Sequence, residues 1–432
     1  MGDRGRKIDI LVLGGGGREH ALVHALSRSG IAGKLHCAPG NPGIAELATL
    51  HAVDPGDTGT ILKLCATEGI GLVVVGPEVP LVAGVADALR ADGIPVFGPG
   101  ASGARLEGSK AFAKTFMARH GIPTAPFRIC TTMAACRAAL AERRPPYVIK
   151  ADGLAAGKGV FLPDTEAEAL DVCSMLIEHG RLGDAGRTVV VEDFTPGLEL
   201  TVFAITDGTD YRILSPSRDH KRVYEGDKGP NTGGMGAYSP VRLPADALER
   251  AVDRVLKPTL AGLKADGIDY RGVLYMGLML TESAEGTQIS VVEYNVRFGD
   301  PETQAVLPLI TGDFGEIVHA CARGRLATCP DLGNAGHAVC VIAASAGYPD
   351  GAVRKGLPIA GLENEMPDAY VFHAGTKRLE DGTIVTDGGR VLAVVGFGES
   401  FGKAKERAYA RLETVSFEGM HYRRDIGWSE ER

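Results

Sequence analysis

The sequence predicts a multidomain protein of mixed α/β and α+β class, with an open parallel α/β sheet at its N-terminal end and a small α+β unit at its C-terminal end. Three observations predict it. The length of 432 residues, at a working figure of roughly 150 per domain, suggests about three units. The first hundred residues alternate short apolar runs with helical spacing, the pattern of a parallel sheet flanked by helices. The last hundred alternate small-residue strands with one long helix. The expected boundaries are 1–108, 109–328 and 329–432.

The first apolar run, IDILVL (8–13), is nearly continuous, as in a strand buried on both faces. Gly14, Gly15, Gly16 and Gly17 turn the chain, and 18–27 reads as a helix. Strand, glycine turn and helix form a phosphate-binding arrangement, with backbone N–H groups and the helix N-terminus facing the ligand. Further strands are expected at 35–38, 72–75 and 96–97. The APGN (38–41) and GPE (76–78) segments follow two of them and should gather at the C-terminal edge of the same sheet. A dinucleotide fingerprint is absent: from Gly14 the third glycine position holds Glu19, and from Gly15 it holds His20. A tight turn with no ligand remains the alternative.

EGSK (107–110) is expected to open an amphipathic helix running to about 120, and helical spacing resumes over 132–142. A strand at 147–150 leads into the glycine-rich ADGLAAGKG (151–159) and a return strand at 160–162. This is not a Walker A loop, because Gly153 to Gly157 is one residue short and Gly159 stands where Ser or Thr is required. Lys150 and Lys158 at its two ends, with a flexible backbone between, suit the covering of a polyphosphate; a solvated hairpin is the alternative. Strands follow at 188–194 and 200–205. The segment 215–239 shows no periodicity over 25 residues and reads as a long functional or disordered loop. A helix is expected at 245–264, then a strand pair at 272–281 and 288–296.

The second strand of that pair, in ISVVEYNVRFGDPET (289–303), carries Glu293 and Asn295 at i and i+2, hence on one face. A carboxylate beside an amide oxygen suits Mg²⁺ or Mn²⁺. Arg297 extends that face, and Asp300 and Glu302 follow at the turn, where Asp300-Pro301 also fits a helix cap. An edge strand with polar residues on its wet face fits this segment equally well when it is taken alone. Strands at 337–345, 372–376 and 390–395 and a helix at 403–415 complete the chain.

Composition narrows the function. Net charge is 46 minus 54, or −8, with lysine and arginine spread along the chain and no basic stripe, so a nucleic-acid partner is not expected. The eight cysteines form no CxxC pair, which argues against a zinc or redox motif. No apolar run reaches the roughly 18 residues of a membrane helix. The apolar stretch 10–13 is too short for a signal peptide, and Arg6 stands where a myristoylation signal needs Ser or Thr. A cytoplasmic protein with a single activity is expected.

Eight segments in order, GGREHA (16–21), APGNPG (38–43), VGPEVPL (75–81), LEGSKAF (106–112), IKADGLAAGKGV (149–160), DHKRVYEGDKGPNTGGMGAYSP (219–240), EYNVRFGDPETQ (293–304) and FHAGTK (372–377), carry a resemblance across almost the whole chain. It resembles the glycinamide ribonucleotide synthetase family of the ATP-grasp superfamily. The resemblance implies a two-lobed ATP-grasp domain after the N-terminal sheet, with a small lobe over about 125–195, and a C-terminal domain that closes the site. It implies ATP and Mg²⁺ or Mn²⁺ as cofactors, and glycine and 5-phosphoribosylamine as substrates, joined through a glycyl phosphate. A monomer or weak dimer is expected.

By the same resemblance, Glu293 and Asn295 hold the metal. Lys110 and Lys150 hold ATP phosphates under the loop of Gly153, Gly157, Lys158 and Gly159. Glu192 and Glu199 face adenine and ribose. Gly16, Gly17 and Asn41 face phosphoribosylamine, with Glu78 nearby, and Asp219, Lys221 and Arg297 line the glycine and acyl-phosphate region. The strand at 272–280 carries no acid, so phosphates and water must complete the metal shell. Two rivals are another carboxylate–amine or carboxylase member of the superfamily and a non-catalytic nucleotide binder. The long 219–240 segment argues against the first. The intact set Glu293, Asn295, Lys110, Lys150 and Arg297 argues against the second.

Overall fold

A computed structural model describes residues 7–155, 157–283 and 286–430. Arg6 lies outside the described residues, as does Ala156 within the glycine-rich loop.

The N-terminal sheet is parallel, in the order Thr49–Leu50, Ala32–Pro39, Ile8–Gly14, Leu72–Val75, Val96–Phe97. Ile8–Gly14 is central, and Ile10, Leu11, Val12 and Leu13 are buried, as a doubly covered strand requires. Its parallel neighbours bring the glycine turn, Gly40 and Gly76 to one edge. There Gly40 N–H donates to Gly14 O at 3.1 Å and Gly76 N–H to Leu13 O at 3.0 Å.

Two antiparallel sheets follow. The smaller has the order Phe127–Cys130, Val189–Asp193, Tyr147–Ala151, Val160–Phe161, with helices Met133–Ala141 and Glu166–Ile177 closing its core. The larger has the order Tyr211–Ile213, Leu198–Thr206, Gly272–Ser283, Gly286–Asn295, so the strand carrying Glu293 and Asn295 lies at its edge. Its pairing shifts between Gly277–Glu293 and Leu278–Val291, leaving Val292 as the extra residue of a bulge.

The C-terminal sheet has the order Arg218–Asp219, Gly236–Ser239, His337–Ala344, Arg390–Gly398, Ala369–His373, and helix Phe401–Leu412 packs on it. Two of its five strands come from well before the expected start of the C-terminal unit at 329.

Two expectations are corrected, one is refined and one alternative falls away. The helix expected from 107 to 120 is two helices, Ala101–Gly108 and Lys110–Arg119. Ser109 breaks the run and caps the second, its hydroxyl accepting from Phe112 N–H. The segment 215–239 is not structureless: it forms Arg218–Asp219, Arg222–Tyr224, Lys228–Asn231 and Gly236–Ser239. Their partners lie partly in His337–Ala344, too far along the chain for local periodicity to show. The helix expected over 245–264 begins at Ala247 and passes through a π-turn at Val252–Leu256. Asp300 does not cap the following helix, Glu302–Val306, whose cap position is Pro301. Its carboxylate instead accepts from Arg18 N–H, in the first turn of Gly17–Ser27, at 3.3 Å.

Candidate active site

A cavity of about 390 Å³ lies where the N-terminal sheet edge, both antiparallel sheets and the start of Arg390–Gly398 converge. Glu293, Asn295 and Arg297 line it from the end of the large sheet, as two-residue spacing on a strand dictates. Lys110 enters at the first residue of Lys110–Arg119, and Lys150 enters from Tyr147–Ala151.

The break at Ser109 aims Lys110. Its hydroxyl donates to Asp152 Oδ1 at 2.8 Å, Ala111 N–H donates to the same oxygen at 2.7 Å, and Lys110 N–H donates to Asp152 O at 3.0 Å. The helix start is thereby fastened to the base of the glycine-rich loop. On the other side of the break Glu107 is buried. One of its oxygens accepts from Val296 N–H at 2.8 Å and the other pairs with Arg297 Nη2 at 2.7 Å.

Lysines surround the carboxylate of Glu293. Burial would raise Glu293, but Lys221, Lys150 and Lys110 keep it below its ordinary value. Its carboxylate makes no hydrogen bond among the described residues, and the Lys110 ammonium makes no hydrogen bond or ion pair among them. Burial lowers Lys110 from its ordinary value. Glu192 takes two cations, Lys114 at 2.8 Å and Lys150 at 3.1 Å, on one oxygen. Its other oxygen is buried with no hydrogen-bond partner among the described residues. Lys150 Nζ also donates to Val292 O, the bulged residue, at 2.9 Å.

At the opposite wall, burial raises Asp219 to about 7. Lys221 opposes this, and Glu302 and Glu199 add to it. Desolvation would lower Lys221, yet Asp219 and Glu199 hold it well above its ordinary value. Glu302 accepts from Tyr275 Oη at 2.9 Å.

Eleven expected residues line the cavity: Glu78, Lys110, Lys150, Gly157, Gly159, Glu192, Asp219, Lys221, Glu293, Asn295 and Arg297. Glu199 stands one step behind, paired with Lys221. Gly153 packs under the loop, its N–H donating to Ala185 O at 3.2 Å, and Lys158 Nζ reaches Pro349 O at 3.4 Å. Gly16 and Gly17 sit at the helix start, where Glu19 accepts from Gly16 N–H at 2.7 Å. The amide of Asn41 donates to Gly15 O at 2.9 Å and His373 O at 2.8 Å and accepts from Gly43 and Ile44, so its side chain braces the turn.

The sequence reading did not place Glu107, Lys114, Tyr275 or Arg390 in the site. Lys114 was accessible, since it stands at i+4 from Lys110 on one helix face. Tyr275 faces Asn295 across the strand pair, a register that no local pattern gives. Arg390 carries no sequence signal.

The donor set bears on the expected metal. Among the described residues no cluster of three or more His, Cys, Asp or Glu side chains is arranged to hold an ion. An ionised carboxylate without hydrogen bonds beside an amide oxygen does fit a cation that takes most of its ligands from phosphate and water, the usual habit of Mg²⁺.

Comparison with known proteins finds relatives over almost the whole chain. Three family descriptions match in order: Phosphoribosylglycinamide synthetase N domain at residues 8–107, ATP-grasp (A) domain at 108–303 and C domain at 338–429. The chain is 48% identical over 424 residues to a phosphoribosylamine–glycine ligase of Streptomyces coelicolor, covering 96% of this chain and 98% of the relative. It is 46% identical over 418 residues to one of Caldanaerobacter subterraneus, covering 96% and 99%. A crystal structure of phosphoribosylamine–glycine ligase from Thermotoga maritima superposes with a TM-score of 0.84 at 38% identity, over 97% of this chain and 100% of that one. The biotin carboxylase domain of Hydrogenobacter thermophilus 2-oxoglutarate carboxylase, solved with MgADP, shares the fold with a TM-score of 0.73 at 16% identity, over 97% and 92%.

Proposed function

The chain belongs to the phosphoribosylglycinamide synthetase family, and on that footing we propose how its cavity performs the family's reaction. The reaction is the ATP-dependent ligation of glycine to 5-phosphoribosylamine, giving glycinamide ribonucleotide, ADP and phosphate, a step of purine biosynthesis. One observation carries the local assignment: a half-buried Lys110 ammonium with no partner among the described residues lines the cavity together with a half-buried, ionised Glu293 carboxylate that accepts no hydrogen bond among them. Buried charges left unpaired in a protein are costly, so the pair is built for a ligand that brings both negative charge and a cation.

Lys110 and Lys150 hold the ATP phosphates, and the 153–159 loop covers them. Glu293 and Asn295 hold Mg²⁺ or Mn²⁺, which when bound neutralises charge on the transferred phosphoryl group. The unpartnered oxygen of Glu192 accepts from the nucleoside, with Glu199 behind Lys221 on the ribose side. Glycine lies against Arg297, Asp219 and Lys221. Its carboxylate oxygen takes the terminal phosphoryl group and ADP leaves. The resulting glycyl phosphate has the leaving group that a carboxylate lacks. The amine nitrogen of 5-phosphoribosylamine attacks the carbonyl carbon, the C–O bond to phosphate breaks, and the nitrogen sheds a proton. We place that substrate at the edge formed by Gly16, Gly17, Asn41 and Glu78. The protein's contribution is chiefly position and fixed charge.

Every residue given a role above lies on one chain, which fits a monomer or weak dimer. Eight free cysteines, seven of them buried, fit a reducing compartment such as the cytoplasm. Among the described residues no helix is long and apolar enough to cross a membrane.

The test is ADP release with ATP, Mg²⁺, glycine and freshly generated 5-phosphoribosylamine, then with each omitted. Release that needs all of them supports the scheme. Release with glycine but without the amine supports glycyl phosphate alone. No release from folded protein that binds ATP overturns it.

A further inference from the structure

Arg390 lines the cavity without a part in the scheme above. It opens Arg390–Gly398, the strand paired with both His337–Ala344 and Ala369–His373, so its backbone is held by a sheet. Its Nη1 donates to Gly233 O at 2.6 Å and Asp300 O at 2.7 Å, with Gly234 O at 3.4 Å. Its Nη2 stands 3.5 Å from Asp300 Oδ1. Gly233 N–H donates to Tyr348 Oη at 3.0 Å. Thus the C-terminal unit holds both backbone polar groups of Gly233.

The glycines make this approach feasible. A Cβ on Gly233 would lie 3.1 Å from the Arg390 guanidinium carbon, and one on Gly234, whose φ is +113°, would lie 2.4 Å from Pro301 Cδ. The turn reaches the reacting region through Thr232, whose N–H and Oγ1 both donate to Lys221 O, at 2.7 and 2.8 Å. Asp300 reaches the N-terminal helix through Arg18 N–H. One guanidinium therefore joins the 232–234 turn to the Asp300 turn, and Nη1 already faces three carbonyl oxygens. While Nη1 serves the carbonyls, Nη2 faces the Asp300 carboxylate, a division between two fixed nitrogens that the point charge of an ammonium does not reproduce.

We propose that Arg390 is a positioning residue for the ligation, fixing the 232–234 turn against the Asp300 turn and thereby setting Lys221 and Glu302 about the reactants. The proposal rests on the cavity being the ligation site.

Arg390→Lys, Arg390→Met and Tyr348→Phe test it in two measurements. In amide hydrogen exchange without substrates, both Arg390 variants lose protection over 232–236 and keep it elsewhere. In steady-state kinetics, kcat falls by about tenfold to a hundredfold while each KM moves by less than about threefold. Lysine does not rescue, and Tyr348→Phe gives a smaller fall of the same kind. Unchanged exchange over 232–236 overturns the proposal. So does a raised KM for 5-phosphoribosylamine with kcat kept, since that marks a direct substrate contact. If Arg390→Met does not fold, the lysine and phenylalanine variants decide. A wild-type chain without ligase activity overturns the ligation scheme instead, and the exchange data still decide whether Arg390 holds the turn.

Discussion

Glu107 and Arg297 form a buried ion pair 2.7 Å long that ties the end of Ala101–Gly108 to the strand end carrying Glu293 and Asn295. Glu78 meets the same guanidinium at 3.1 Å, so Arg297 lies between two carboxylates. Burial raises Glu107 despite Arg297, so its ionised form depends on that partner.

Removing Glu107 takes away the nearer carboxylate and leaves Arg297 paired with Glu78 alone. Glu107→Gln should lower unfolding stability by about 1–3 kcal/mol, read from urea midpoints at constant m. Adding Arg297→Met should recover part of that loss, with a coupling of about 0.5–3 kcal/mol. Strict additivity of the two changes would show that the pair does not hold the strand end.

Glu293→Ala should abolish turnover and leave the fold intact. The three lysines around it would lose the charge that keeps them mutually compatible, and the cation would lose its carboxylate. The check is activity across a Mg²⁺ titration, with far-UV circular dichroism as the control. Wild-type activity at saturating Mg²⁺ would remove the metal assignment.

The central strand Ile8–Gly14 and the glycine turn were legible because a buried parallel strand writes itself as a continuous apolar run. The shared face of Glu293 and Asn295 was legible because strand spacing is local. Ser109 was missed because helical spacing continues across it on both sides, and only its side chain ends one helix and starts the next. The strands within 215–239 were missed because Arg218–Asp219 and Gly236–Ser239 are completed by His337–Ala344, about a hundred residues on. The local cap that Asp300-Pro301 offers as an alternative is not formed, and Asp300 faces a helix start 282 positions earlier. Partners distant in sequence leave no periodic trace.

Asp219 gives a pH dependence of stability. Its carboxyl moves from an ordinary 3.8 up to about 7 on folding, chiefly by burial, with Glu302 and Glu199 adding to it against Lys221. Below the ordinary value both states hold the proton and nothing is lost. Between about 4 and 7 the unfolded chain ionises first, so stability falls as pH rises through that window, and above it the loss is constant. Asp219→Asn, without ATP or metal, should therefore gain stability relative to wild type on going from pH 4 to pH 8. A pH-independent difference would show that Asp219 ionises normally in the folded chain.

His20 and His373 give the opposite sign. They join helix Gly17–Ser27 to strand Ala369–His373, with His373 N–H donating to His20 Nδ1 at 2.9 Å. Burial lowers His20 from 6.5 to about 3, helped by His373 and His24, and burial with Arg378 lowers His373 to about 4. Both are neutral in the folded chain at pH 7, and protonation of His20 Nδ1 would abolish the acceptor for His373 N–H. A group lowered on folding contributes stability above its unfolded value and loses it as pH falls toward the folded one. The contact should therefore weaken from about 6.5 downward, and exchange at the His373 amide should rise beyond the intrinsic pH trend by pH 4.5. His20→Gln retains an acceptor without the titration. Its stability should fall less than that of wild type between pH 6.5 and 4.5. Equal slopes would mean that the acid response comes from groups other than this pair.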